Sequence, residues 1–239
     1  MLARLKELFQ PLRPVLMPVW RPVRPLIQGK DAPVERLHSR LLLAWDGLLA
    51  RRDRISGAPI RPLRKREFDA LAARVPYYRG RWGYMSLAGK IAAQLIEDHK
   101  LETALELGPH IRPLIVGADV MDLRVTPDLQ CEGRVIIHDA TETPWPFEDK
   151  AYGLFVGLQV FEHLGTGQAA AFSEVRRVAR HAIISLPIDW EMDDPRNVHH
   201  MLSDEKALSW FAPVVPTRVE LGTPGRKKRY IYVFEDLPA

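Results

Sequence analysis

The sequence predicts an α/β fold: a Rossmann-like, doubly wound, mostly parallel sheet with an antiparallel last strand, plus an N-terminal helical extension. Three observations carry this. Between positions 103 and 187, short apolar runs recur: Thr-Ala-Leu-Glu-Leu-Gly, Arg-Val-Ile-Ile-His-Asp, Tyr-Gly-Leu-Phe-Val-Gly-Leu-Gln and His-Ala-Ile-Ile-Ser-Leu-Pro. Continuous apolar runs mark strands buried on both faces, and hence a parallel sheet. Helix-like segments separate some of these runs. Finally, two β-rich stretches at 215–221 and 229–234 are joined by a Gly- and Pro-bearing link suited to an antiparallel hairpin.

The elements follow in order. A short helix is expected over 2–9, then prolines at 11, 14, 18, 22 and 25 remove backbone donors and forbid a long helix. The result is an extended arm carrying Val15, Leu16, Met17, Trp20 and Ile27 with arginines between them. Residues 33–52 read as an amphipathic helix through Val34, Leu41, Leu42, Leu43, Trp45, Leu48 and Leu49. Gly57 and Pro59 break the chain, and 64–73 forms a helix with Phe68, Leu71 and Ala72 on one side. Residues 75–84 are a loop dense in aromatics and arginines. A helix over 86–99 follows, with Ser86 as its N-cap.

Strand one is 103–107, and 115–120 is expected as strand two. Only six residues separate Gly108 from Ile115, whereas a parallel crossover needs a dozen or more. Either the intervening helix shrinks to a turn or strand two lies elsewhere. Strands at 134–138 and 152–158 flank a polar loop, 141–150. A helix at 167–177 leads to a strand at 182–186. After an acidic, histidine-bearing loop at 189–200, Ser203 caps a helix to 211, with Asp204 and Glu205 at its positive end.

The chain has 239 residues, enough for one domain and a half. We divide it into a basic arm with helical extension, 1–84, and a sheet domain, 85–239. Residues 1–84 hold 18 Lys/Arg against 7 Asp/Glu, and the rest hold 16 against 23, so a basic arm joins an acidic domain. The arm is either a solvated face or a contact for anionic membrane, nucleic acid or an acidic substrate. The single cysteine, Cys131, excludes an internal disulfide and a cysteine-rich metal site. No apolar run nears the ~20 residues of a spanning helix, and no signal peptide is expected. A cytoplasmic protein, peripheral to a membrane through the arm, fits these features.

In parallel sheets, ligands bind at the carboxyl ends of the strands. Here those ends carry Glu106-Leu107-Gly108, His138-Asp139-Ala140 and Leu158-Gln159. After them come Pro-Trp-Pro-Phe-Glu-Asp at 144–149, Glu162-His163-Leu164, a helix, and a strand ending in Pro187. In order and spacing this set resembles the class I S-adenosylmethionine-dependent methyltransferases of small-molecule type, over 101–235. The resemblance implies S-adenosylmethionine as cofactor. Asp139 and Ala140 would meet the adenine, and Asp119, with Asp122 as its rival, the ribose hydroxyls. Glu106 and Gly108 would flank the methionine end, and Leu158 and Gln159 would floor the methyl group. Carboxylates suit ribose and amine donors, and glycine lets the backbone approach a ligand. The first loop departs from the family, reading Gly108-Pro109-His110 where further glycines are usual. Arg81, Trp82 or Tyr84 would then help hold the amino acid end.

Methyl transfer needs mainly alignment, with a base where the acceptor is a hydroxyl. His163, His199 and His200, with Asp189, are the candidates. No metal is assigned, for want of a third ligand at suitable spacing. The acceptor is read as a small molecule or saccharide. RNA, gripped by the basic half, is the weaker reading, because no RNA-binding module is recognisable. A non-catalytic protein keeping the fold as a binding surface is the third, favoured by the lost glycines.

Overall fold

The structure, a computed structural model, describes residues 60–223 and 227–238. All of them belong to the second of two compact units, Met1–Trp45 and Asp46–Ala239. The proline arm, the helices expected over 2–9 and 33–52, and the partners expected of the basic arm lie outside the described residues.

The strands are β1 (Arg61–Pro62), β2 (Ala104–Leu107), β3 (Ile115–Val116), β4 (Asp119–Asp122), β5 (Val135–Ile137), β6 (Tyr152–Leu158), β7 (Ala179–Pro187), β8 (Arg218–Thr223) and β9 (Arg229–Phe234). The helices are α1 (Lys65–Arg74), α2 (Trp82–His99), α3 (Gln168–Val178) and α4 (Asp204–Phe211). Seven strands form one sheet in the order β5-β4-β2-β6-β7-β9-β8, and β1 pairs β3 in a separate antiparallel ribbon. β5, β4, β2, β6 and β7 run parallel, and β9 is antiparallel to both neighbours. The mostly parallel sheet with an antiparallel strand at its end is as the apolar runs predict.

Because side chains alternate across a strand, the sheet sorts its apolar residues into two cores. Leu105, Leu107, Phe155, Ala182, Ile184, Tyr232 and Phe234 face α3 and α4, through Phe172, Val175 and Phe211. Ala104, Leu154, Val156, Ile183, Ile231 and Val233 face α2, through Ala88, Ile91 and Leu95. Ile60, Leu63, Phe68, Leu71 and Tyr78 are buried in that second core too. None of the described helices is long and apolar enough to cross a membrane.

Two expectations change. The run at 115–120 splits: Ile115–Val116 pairs with Arg61–Pro62, and the main-sheet strand begins at Asp119. No helix bridges β2 and β4, so the short spacing is met by losing the crossover helix and by moving the strand. Ser86 is not a cap either. The helix starts a turn earlier, and Ser86 Oγ donates to the Gly83 carbonyl at 2.9 Å.

The amino end of the sheet is locked by Asp119, which is fully buried. Its carboxylate accepts from the Arg134 backbone N–H at 2.8 Å, from Arg134 Nε and Nη2 at 2.9 and 2.7 Å, and from the Tyr152 hydroxyl at 2.9 Å. Gly133 makes this approach possible, because a Cβ there would sit 2.0 Å from the Ala118 carbonyl oxygen.

Candidate functional site

At the carboxyl edge, β2 and β4 pair Leu107 with Met121, so Gly108 and Asp122 leave the sheet side by side. Gly108 takes φ +58°, a conformation glycine adopts without strain, and its N–H donates to Met121 O at 2.9 Å. Asp122 is half-buried, and burial raises its carboxyl above the usual range. Asp139 leaves the neighbouring β5. Its carboxylate accepts from the Thr141 N–H and hydroxyl at 2.9 and 2.8 Å, which hold it below the usual range. Ala140 is buried beside it, its carbonyl accepting from Trp145 Nε1. Leu158 ends β6. Gln159 then turns the chain outward at φ +58°, a left-handed conformation costing a non-glycine residue about 1 kcal/mol.

Asp119 lies at the opposite end, bound to Arg134 and Tyr152. A shift of strand two by a few residues exchanges its two ends, so the acidic side chain that this strand brings to the carboxyl edge is Asp122.

Glu106 is buried in β2. It lines the same small cavity as Gly108 and Leu158, and accepts from the Leu114 and Ile115 N–H groups at 2.8 and 3.1 Å. Burial pushes its carboxyl up to about 7 against those two bonds. It therefore pins the loop after Gly108. Tyr78 pins the same loop from outside: its hydroxyl accepts from the Ile111 and Arg112 N–H groups at 3.2 and 3.0 Å and donates to Pro109 O at 3.2 Å. Between them, Tyr77, Tyr84, Gly108, Pro109, Arg112 and Leu158 enclose a cavity of about 20 Å³, room for roughly one water. Tyr77, in its wall, stacks on His110 with ring centroids 4.0 Å apart.

Beyond Gln159 lies a cluster of polar side chains. His163 Nε2 and His199 Nε2 are 3.3 Å apart, and Glu162 Oε1 lies 3.6 Å from His199 Nε2. Glu162 is buried, and burial pushes its carboxyl up to about 8. Burial also holds both imidazoles below their usual range, helped at His199 by His163, Arg229, Arg81 and Lys227. The arginines are held by ring faces. Arg229 lies 4.7 Å over Tyr84 and 4.6 Å over Trp190, and Arg81 lies 3.8 Å over Tyr77. Arg229 Nε donates to Gln159 Oε1 at 3.2 Å, and Arg81 Nη1 to the Tyr84 hydroxyl at 3.1 Å. Neither arginine has a carboxylate within ion-pair distance among the described residues.

Of the predicted residues, Gly108, Asp139, Ala140, Leu158 and Gln159 stand at one edge, Glu106 lines the cavity beside Gly108 and Leu158, and His163 and His199 lie beyond. His200 does not join them: its Nδ1 accepts from the Met192 N–H at 3.1 Å. Asp189 faces Lys228 Nζ at 3.4 Å, and Trp82 packs on Phe68 at 4.8 Å. Sequence reasoning missed Tyr78, Glu162 and Arg229. Glu162 stood inside the Glu-His-Leu triplet, where only the histidine drew attention. Arg229 and Tyr78 arrive from distant strands and loops and leave no local signal.

No protein-family model matches the chain, and no curated protein sequence matches it. Solved structures do, at low identity. One is a protein from Pyrococcus horikoshii OT3: 14% identical, covering 68% of this chain and 92% of that one, TM-score 0.49. Another is the magnesium protoporphyrin IX methyltransferase of Synechocystis PCC 6803 with bound S-adenosylmethionine: 14%, 64% and 79%, TM-score 0.45. A third is an S-adenosylmethionine-dependent methyltransferase from Aquifex aeolicus: 15%, 55% and 80%, TM-score 0.40.

Proposed function

We propose that the protein is an S-adenosylmethionine-dependent methyltransferase acting on a small-molecule or saccharide acceptor that carries negative charge. The observation behind this is the edge where Gly108, Asp122 and Asp139 leave three adjacent parallel strands. The residues fit the nucleoside half of the cofactor. Asp122 would accept from the ribose hydroxyls, Asp139 from the adenine amine, and Leu158 and Gln159 would lie beneath the sulfur. When bound, the cofactor supplies an electrophilic methyl group on sulfur.

The amino acid half meets a cavity with room for about one water, so Tyr77 and His110 must part to admit it. An aromatic stack of this kind is worth about 1 kcal/mol, small beside the roughly 8 kcal/mol of micromolar binding. Glu106 and Tyr78 act on the main chain of 109–115 and keep its path while the stack opens.

Arg81 and Arg229 give the acceptor its charge preference. Their guanidiniums are oriented by Tyr77, Tyr84 and Trp190 rather than neutralised by acids. An anionic acceptor would settle between them, with His163 and His199 against its reacting oxygen. The acceptor oxygen donates an electron pair to the methyl carbon as the carbon–sulfur bond breaks, and the acceptor's proton passes to solvent past the exposed His163.

The pinned loop and small cavity favour a second reading, a protein that keeps the fold and binds anions without the cofactor. Calorimetric titration of the full chain with S-adenosylmethionine decides between the two. Saturable binding at one equivalent, weakened in Asp122→Ala, is the expected result. An absence of binding heat with the fold intact removes the enzyme.

A further inference from the structure

We infer that Glu162, His163 and His199 form a site for one first-row divalent cation beside Arg81 and Arg229. The role given to it below rests on the methyl-transfer reading; the site itself stands on geometry. Each residue offers one ligand atom, and the three atoms all lie within 4.8 Å of one another. The closer pairs are 3.3 and 3.6 Å apart. Two ligands at about 2.1 Å from one tetrahedral ion stand about 3.4 Å apart.

The second observation is the carboxyl of Glu162. Its side chain has no exposed surface, and neither oxygen has a hydrogen-bond partner among the described residues. Buried polar atoms are almost always partnered, and an orphan calls for a water or an ion. An N–H···N bond between the two imidazoles would engage both Nε2 atoms and leave that carboxyl without a hydrogen bond among the described residues. A cation satisfies all three at once.

The donor set narrows the ion. Two imidazoles and one carboxylate suit zinc, manganese or iron(II), not calcium or magnesium. Three protein ligands leave coordination positions open. Arg81, Arg229 and Lys227 repel a bare cation, so the occupied site favours an acceptor that brings its own negative charge. An anionic oxygen would bridge the ion and the arginines, and the ion would make an acceptor hydroxyl more acidic. The substrate class follows: a chelating hydroxy acid or a phosphorylated sugar, with the methylated oxygen next to the anionic group.

A second cluster, His99, His181 and Asp236, also gathers three ligand atoms within 4.8 Å, and it supplies the control. The full chain, stripped with EDTA and dialysed, is titrated with manganese chloride and zinc chloride by calorimetry, with thermal melts to verify folding. One equivalent is expected, weakened at least tenfold in both Glu162→Gln and His199→Ala and unchanged in His99→Ala. No binding, binding that survives in the Glu162→Gln/His199→Ala double variant, or binding lost only in His99→Ala overturns the inference. Metal binding in a protein that ignores S-adenosylmethionine keeps this site and removes the methyltransferase; the converse result removes only the site.

Discussion

Asp119 and Glu162 are both buried acids in one sheet domain, and their surroundings are opposite. Asp119, at the amino end of β4, accepts four hydrogen bonds from Arg134 and Tyr152. Glu162, beyond the carboxyl end of β6, has no hydrogen-bond partner for either oxygen among the described residues and only His199 at 3.6 Å. Removing a buried acid that is bonded on all sides strands its partners; a buried acid without a hydrogen bond is a desolvation cost that folding alone does not repay. The contrast divides the labour of the domain. The amino edge is finished, its acid bonded on all sides; the carboxyl edge is open, its Glu162 lacking a hydrogen bond among the described residues.

The largest expected effect lies at the finished edge. Asp119→Ala leaves Arg134 and the Tyr152 hydroxyl without their acceptor and costs about 3–4 kcal/mol of stability, read by denaturant melts. A loss near zero would erase the contrast. The next tests Glu106, which stands between the extremes with two backbone partners. Its folded-state carboxyl is pushed up to about 7 from an ordinary 4.5. The folded chain therefore holds a proton that the unfolded chain releases first. Stability is greatest below pH 4.5, falls by about 3 kcal/mol as pH rises towards 7, and then levels off. Glu106→Gln should flatten that slope; an unchanged slope would assign it to other groups.

The third sharpens the open edge itself. Asp122→Ala should weaken S-adenosylmethionine binding by about 2 kcal/mol, roughly thirtyfold, the loss of a charge-assisted bond. Its effect on melting should be much smaller than that of Asp119→Ala. The smallest concerns α4. Ser203 Oγ accepts from the Lys206 N–H at 3.1 Å, and Ser203→Ala should cost about 1 kcal/mol of stability. Binding should stay as it was.

The sheet was legible because burial on both faces writes itself into runs such as Tyr-Gly-Leu-Phe-Val-Gly-Leu. The cap at Ser203 was legible because it needs only neighbours in sequence. Strand two was misread because Ile115–Val116 is as β-prone as any main-sheet strand, and its real partner, Arg61–Pro62, is far away in sequence. That slip carried Asp119 to the wrong edge. Glycine loss at 109–112 was visible, but not what replaced the glycines. The replacement is a phenol more than thirty residues upstream. Likewise, three donors from two separate segments, Glu162-His163 and His199, cannot be counted by spacing, so their meeting within 4.8 Å left no signal in the sequence.

The hydroxyl of Tyr78 grips only peptide atoms of 109–112. Which side chains those positions carry is therefore of little concern to the grip. A saturation library should tolerate other apolar residues at Ile111, which packs on the core, while rejecting even phenylalanine at 78. Natural variation in this loop would then be free to drift without altering its course, and diversity there would say little about whether the cleft still works.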